Sequence, residues 1–283
     1  MKVLAFEIPK SLNDSILVQI DKEKLFYNFL HQHAHIQISH IVKGNGKLLV
    51  ADSIHSFNPG DIFVIGSRTP HLFQSAENTE FSHMISIFFT EESLGSNFLS
   101  MPEMFDMQRF INMSTTSFKL LPSNKLAIKY INRIQTEKGI DKFICFLKLI
   151  KQLTLSESTS LTNFIKTKQI TQEEGRRIGI VFDFVMNNFK DDIKLNDVAN
   201  LIHLTPNAFC RFFKQHTNKT FFEFLIELRI EHSCQLIIKS ENLTIAEIAE
   251  MSGFSSISNF NRKFKKLKGV TPSTFKIKME YSA

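Results

Sequence analysis

The sequence predicts an α+β chain: an N-terminal antiparallel β-barrel with appended helices, then an all-α domain of two helix-turn-helix modules joined by a long helix. Three observations predict it. Between Leu25 and Phe89, short runs of β-branched and aromatic residues alternate with turn-forming clusters. From Glu91 the apolar period lengthens to that of a helix. Residues 195–224 then recur further along the chain, offset first by 50 and then by 51 positions.

In chain order, the first residues, MKVLAFEIPKSLNDS, break at Glu7 and Pro9 before the roughly 7–15 apolar residues of a signal-peptide core can accumulate. No run approaches the ~18–20 apolar residues that span a bilayer, which excludes a membrane protein. With 43% hydrophobic and 22% charged residues, a largely disordered chain is excluded too. The cysteines, Cys145, Cys210 and Cys234, are odd in number and lack CxxC spacing. Neither a disulfide framework nor a zinc ribbon is indicated, and a reducing cytoplasm is the expected location.

Strands are expected at 36–42, 47–50, 61–65 and 81–89, separated by turn signals at Gly44–Gly46, Asn58–Gly60 and Ser67–Pro70. Short strands so spaced suggest a barrel or sandwich. Helical spacing then places Leu126, Tyr130, Ile131 and Ile134 on one stripe, and Phe143, Phe146, Leu147, Ile150 and Leu153 on another. Such stripes pack either against their own barrel or against a second copy of the chain. The polar stretch 156–172 reads as a linker between a domain at 1–155 and one at 173–283.

The repeat lies in the second domain. Leu195, Val198 and Ala199 match Ile245, Ile248 and Ala249; Phe209, Arg211, Phe213, Lys214 and Phe224 match Phe260, Arg262, Phe264, Lys265 and Phe275. The slip falls in a turn, where a change of length is tolerated. Two modules result, at 195–217 and 244–268, with Pro206 suited to a helix start and Thr244 with Glu247 forming a capping box. Ala199 and Ala249 leave room for two helices to approach closely. In the first module, Phe209, Phe212 and Phe213 are expected inside, which leaves Asn207, Cys210, Arg211, Lys214 and Gln215 outside. In the second, Phe260 and Phe264 are expected inside, which leaves Ile257, Ser258, Asn261, Arg262 and Lys265. Asn, Gln and Arg match adenine and guanine edges, whereas Lys and hydroxyls hold phosphates.

Charge agrees. Residues 1–175 carry 18 Lys+Arg against 17 Asp+Glu, and residues 176–283 carry 16 against 11, so the second domain holds +5 of the chain's +6. A basic domain with a duplicated helix-turn-helix points to double-stranded DNA as a partner.

The segment GFSSISNFNRKFKKLKGVTPSTFK, Gly253 to Lys276, resembles the signature of AraC/XylS-type transcriptional regulators: Gly-Phe, Phe-x-Arg-x-Phe-Lys, Gly, Thr-Pro, then an aromatic followed by a basic residue. The likeness spans 179–279. It implies base-facing positions for Asn207, Cys210 and Arg211, and for Ile257, Ser258, Asn261 and Arg262. Cys210 and Ile257 are apolar where polar readers are common, which leaves a thymine methyl as the contact open to them.

At the other end, HQHAHIQISHIVKGNG supplies His31, His33, Gln37 and Gly44, and GDIFVIGSRTPH supplies Gly60 and His71. These resemble the two cupin motifs, which in metal-binding members supply two His, one Glu and a third His. Gln37 stands at the Glu position, and Arg68 stands where the second motif has glycine. Alternation places His31, His33, His35 and Gln37 on one face. The reading is an effector pocket lined by His31, His33, His35, Gln37, Arg68 and His71, with no metal, cofactor or catalytic residue assigned.

The sequence as a whole reads as a cytoplasmic, non-enzymatic DNA-binding regulator, by expectation an activator. The family resemblance implies a small-molecule effector, a sugar among the candidates, and a homodimer formed through the helices after the barrel; RNA polymerase is a further partner. The alternatives are a metal-dependent cupin enzyme with a helical appendage and a ligand-independent DNA-binding regulator.

Overall fold

The computed structural model describes residues 15–26, 30–76, 79–121, 124–162, 171–239 and 242–280. The N-terminal segment around Glu7 and Pro9, and residues 163–170 of the expected linker, lie outside the described residues. The chain divides into two compact units, Met1–Gly175 and Arg176–Ala283.

In the first unit the strands among the described residues are β1 (Leu17–Glu23), β2 (Ile36–Lys43), β3 (Gly46–Val50), β4 (Ser53–Phe57), β5 (Ile62–Ile65), β6 (His71–Ser75), β7 (Ser82–Phe89), β8 (Phe118–Leu120) and β9 (Ser158–Ser160). They form two antiparallel sheets, ordered β1-β7-β2-β5-β8-β9 and β4-β3-β6. The strands expected around 36–42, 47–50, 61–65 and 81–89 are present, and five more join them. Two of those, β8 and β9, are three-residue segments too short to show a period. They are held by backbone pairing of Phe118 with Ser160 and Leu120 with Ser158. Residues 158–162 therefore belong to the sheet unit and not to the expected linker: Leu161 is buried, the His55 ring bonds the Leu161 carbonyl at 2.8 Å, and Thr162 donates to Asp52 at 2.7 Å.

The helices of this unit are α1 (Glu91–Leu94), α2 (Ser96–Leu99), α3 (Phe105–Ser114), α4 (Lys125–Thr136) and α5 (Gly139–Leu155), with a 3-10 turn at Pro102–Met104. The two faces of the larger sheet bury different partners, because alternate residues point to opposite sides. Ile36, Ile38, Val64, Ile85 and Ile87 pack with Phe110, Ile131, Phe146, Leu149 and Leu153 of α3, α4 and α5. Phe89 and Phe146 meet edge to face at 4.9 Å. On the opposite face Ile41, Phe63, Ile65 and Met84 pack with Leu48, Val50, Phe57 and Phe73 of the smaller sheet. Apart from Leu126, which is exposed, the helical stripes thus cover their own barrel, while Ile140, Ile144 and Leu155 of α5 also stay exposed.

The second unit is built from α6 (Gln172–Asn188), α7 (Leu195–Leu201), α8 (Pro206–Thr217), α9 (Phe221–Lys239), α10 (Ile245–Met251), α11 (Ile257–Lys268) and α12 (Pro272–Glu280). No strand occurs in it among the described residues. Helix α7 begins 50 positions before α10 and α8 begins 51 before α11, so the extra residue sits in the second turn. Both turns close alike: Leu204 N–H donates to the Ala199 carbonyl and Phe254 N–H to the Ala249 carbonyl, each at 3.0 Å. Phe209, Phe213, Phe260 and Phe264 are fully buried, and Phe212 is half-buried against His216.

Candidate nucleic-acid interface and sensor cavity

Each second helix of the pair starts from a side-chain cap. Thr205 accepts from Ala208 N–H ahead of α8, and Ser256 accepts from Asn259 N–H ahead of α11. Because phenylalanines at i and i+4 take the inner face, positions on the opposite side of each helix face water. Asn207, Cys210, Arg211, Lys214 and Gln215 are all exposed on α8, and Ile257, Ser258, Asn261, Arg262 and Lys265 are all exposed on α11. All ten residues singled out from the sequence are therefore exposed.

Sequence reasoning missed how some of these charges are held. The Arg262 guanidinium donates to Asn259 Oδ1 at 3.0 Å on the same helix, a spacing of three that the sequence does display. Lys266 is a further exposed cation on α11. By contrast Lys268 pairs with Glu231, and Lys276 donates to the Leu243 carbonyl at 3.0 Å, so two of the C-terminal cations brace the fold. Glu223, at the start of α9, is held below the usual carboxylate range, first by the Thr220 backbone N–H and also by Lys266 and Lys214.

In the first unit, paired backbones create the second cluster. His31 and His71 exchange N–H···O bonds of 3.1 and 2.9 Å, which ties the segment ahead of β2 to the start of β6. Their rings lie 4.3 Å apart, and the His33 ring is 5.0 Å from His71. The ligand atoms of His31, His33 and His71 lie within 4.8 Å of one another. Gln37, buried on β2, places Oε1 3.1 Å from His33 Nε2 and 3.0 Å from His71 Nε2. Its amide nitrogen is 2.7 Å from Ser39 Oγ and 3.3 Å from Ser86 Oγ. Ser39 shares the Gln37 face two residues on and pairs with Ser86 across β2 and β7. Burial pushes His33 down to about 4 and His71 well below the ordinary histidine value, so both rings are neutral at pH 7.

Of the six expected pocket residues, His31 and Gln37 line the cavity; His33 and His71 do not line it but contact Gln37, and His35 and Arg68 stand apart from the cluster. The chain bends at Ala34 and His35, which breaks the alternation, and the His35 ring packs beside His33 and Phe88 without joining the three-histidine group. Arg68 is exposed and lines no part of the cavity; its φ of +56° is the left-handed conformation for which glycine is suited. The cavity itself, of about 30 Å³, is lined by His31 and Gln37 together with Asp21, Phe26, Phe73, Met84, Ser86 and Phe88. Asp21, whose carboxyl is raised by burial, comes from β1, which the sequence reading did not recognise as a strand.

A duplicated helix-turn-helix with two exposed polar and basic helices, carried with a double-sheet domain enclosing a polar cluster, defines a DNA-binding protein with a sensor module. The sequence comparisons narrow this: residues 19–91 match the AraC-like ligand binding domain and residues 198–277 match a helix-turn-helix domain. The chain belongs to the AraC-type transcriptional regulators. Among its relatives, the Msm operon regulatory protein of Streptococcus mutans is 26% identical over 84% of this chain and 83% of its own length. The lactose operon transcription activator of Staphylococcus xylosus is 24% identical over 98% of this chain and 97% of its own. Among solved structures, ToxT of Vibrio cholerae aligns over 93% of this chain and 98% of its own, with 15% identity and a TM-score of 0.36.

Proposed function

We propose that this regulator reads an asymmetric DNA site through α8 and α11 and answers to a small molecule held by its N-terminal sheets. The observation that carries the reading is the exposure of equivalent arginines, Arg211 and Arg262, on equivalent helices of two modules. The two helices differ in sequence, so one chain reads two unlike half-sites. Exposed Ile140, Ile144 and Leu155 on α5 supply an apolar face for a homodimer, and a dimer reads two such sites. Relatives named for operon regulation and lactose operon activation favour an activator of sugar-related genes, with RNA polymerase as the partner an activator engages.

A cavity of about 30 Å³ holds a water molecule or two, not a sugar. Effector entry therefore requires Phe26, Phe73, Met84 and Phe88 to part, and a ligand that binds only the parted state shifts the population toward it. Genome-wide mapping of bound sites with and without candidate sugars tests the reading. Recovery of a motif with two unlike halves, whose occupancy responds to one sugar, supports it, and binding without sequence preference overturns it.

A further inference from the structure

On the reading that α8 and α11 meet DNA, on which this inference rests, we propose that Glu223 is a specificity-determining residue. Its fixed carboxylate, beside exposed lysines of both modules, weakens attachment to phosphates that no base contact supports.

The repeat supplies an internal comparison. Phe224 matches Phe275, so Glu223 of α9 falls at Thr274 of α12. Each is capped by a threonine three positions earlier. Glu223 N–H donates to Thr220 Oγ1 at 3.3 Å, and Thr274 N–H donates to Thr271 Oγ1 at 3.3 Å. The return bonds differ in kind. The Glu223 carboxylate accepts from Thr220 N–H at 2.9 Å and from Thr220 Oγ1 at 2.8 Å. In the second module the two threonine hydroxyls share a bond of 2.9 Å. A neutral side chain therefore serves at the equivalent cap, and capping alone does not call for a charge at residue 223.

The position of that charge is set by α9. The turn from α8 to α9 is only Asn218–Thr220, so the first turn of α9 follows closely on the end of α8, where Lys214 is exposed. A spacing of four puts Glu223, Glu227 and Glu231 along one stripe of α9. Glu227 pairs with Lys219 at 2.7 Å, and Glu231 pairs with Lys268 at the end of α11. The stripe thus meets cations from both modules. Glu223 itself forms no ion pair among the described residues; the Thr220 bonds, then Lys266 and Lys214, hold its carboxylate below the usual range. Glu223, Lys214 and Lys266 are all exposed. Because two bonds to Thr220 fix the carboxylate, it does not swing away from an arriving phosphate.

Binding without sequence preference consists of phosphate contacts, and its strength follows the number of phosphates neutralised. A carboxylate fixed near Lys214 and Lys266 repels the phosphates those lysines attract. A complex in register with its bases is anchored by direct contacts and leans less on any one lysine. Repulsion of this kind widens the difference between right and wrong sites without a new attractive contact.

The test selects a motif from a pool of randomised duplexes with the full-length protein, then measures affinity for that motif and for a random duplex over a range of salt. Glu223→Gln and Glu223→Thr both keep an acceptor for the Thr220 cap and remove the charge. Each should strengthen binding to the random duplex by about three- to tenfold, steepen its log–log salt slope by about 0.9 for each phosphate gained, and lower the motif-to-random ratio. Glu247→Gln removes a carboxylate from the same kind of cap on α10, one that Thr244 holds and no lysine of the described residues shifts, and it should change neither affinity. Circular dichroism should be unchanged in all three variants. Unchanged affinity of Glu223→Gln for the random duplex, or an equal gain for motif and random duplex, overturns the proposal. The same gain in Glu247→Gln also overturns it, because net charge would then be the cause. If the wild-type chain selects no motif, the DNA-binding reading itself fails, and this proposal with it.

Discussion

Arg229 of α9 lies directly against Gly253, so closely that a Cβ at residue 253 would come within 2.9 Å of Arg229 Nε. The guanidinium donates to the Phe189 carbonyl at 2.7 Å and the Asp191 carbonyl at 2.8 Å, and it stacks 5.9 Å over Phe254. One side chain of the connecting helix thus joins the end of α6 to the turn of the second module.

Gly253 also has φ +83°, a conformation costly for residues with a Cβ. Gly253→Ala should therefore destabilise the second unit by about 2–3 kcal/mol, through strain and contact together. At the matching position of the first module His203 adopts φ +56° and is exposed, and His203→Gly should stabilise by up to about 1 kcal/mol. Calorimetric Tm values of the two variants check the pair; equal effects would contradict the assignment.

Arg211→Ala and Arg262→Ala should each weaken binding to the preferred site by about 1–3 kcal/mol and relax preference at particular base pairs. Because Asn259 holds the Arg262 guanidinium, Asn259→Ala should reproduce part of the Arg262 effect without removing a charge. Affinity measured across a panel of point-varied sites is the check. Uniform weakening across the panel would show that the arginines contact phosphates alone.

The capping box at α10 sets an acid limit on the second module. Thr244 accepts from Glu247 N–H, and the Glu247 carboxylate accepts from Thr244 N–H at 2.8 Å. That backbone bond, then the Thr244 hydroxyl, hold Glu247 below the ordinary carboxylate value. A lowered folded value means stability that is fully present above the unfolded value and is lost as pH falls through the folded one. Tm should therefore decline on acidification from pH 5 downward, and Glu247→Gln should flatten that part of the profile. Thr244→Ala should cost about 1 kcal/mol at neutral pH.

Ile140 and Ile144 are one helical turn apart on α5 and exposed, whereas Phe146 and Leu149 of the same helix are buried. Ile140→Glu combined with Ile144→Glu should yield a folded monomer in sedimentation measurements. Phe146→Ala should instead lower stability by about 3–5 kcal/mol, because it opens a void beside Phe89. A wild-type chain that sediments as a monomer, or a double glutamate variant that stays dimeric, would overturn the proposed α5 interface.

The C-terminal unit was largely legible in its residues. A helix-turn-helix is local, so its apolar spacing, caps and turn sit within a few positions of one another, and the repeat gives the apolar spacing twice. Even there, the part played by Arg229 was hidden, since it joins segments 38 to 40 positions apart. The barrel was legible where apolar residues run together, as in β2, β3, β5 and β7, but not in β1, whose seven residues include Gln19, Asp21, Lys22 and Glu23. Helix α5 showed its stripe, but β8 and β9 exist because backbone groups distant in sequence meet.

The sensor cluster divides the same way. Sequence alone determined that His31, His33, Gln37 and His71 belong to two motifs of one domain. Only the tertiary structure decided that the His31–His71 backbone pair brings those motifs into contact, that the bend at Ala34–His35 turns His35 aside, and that Asp21 enters the cavity from another strand. Residue type and spacing carry the chemistry a segment is capable of; which lone pairs converge depends on register between strands, and register is set by the packing of the whole sheet.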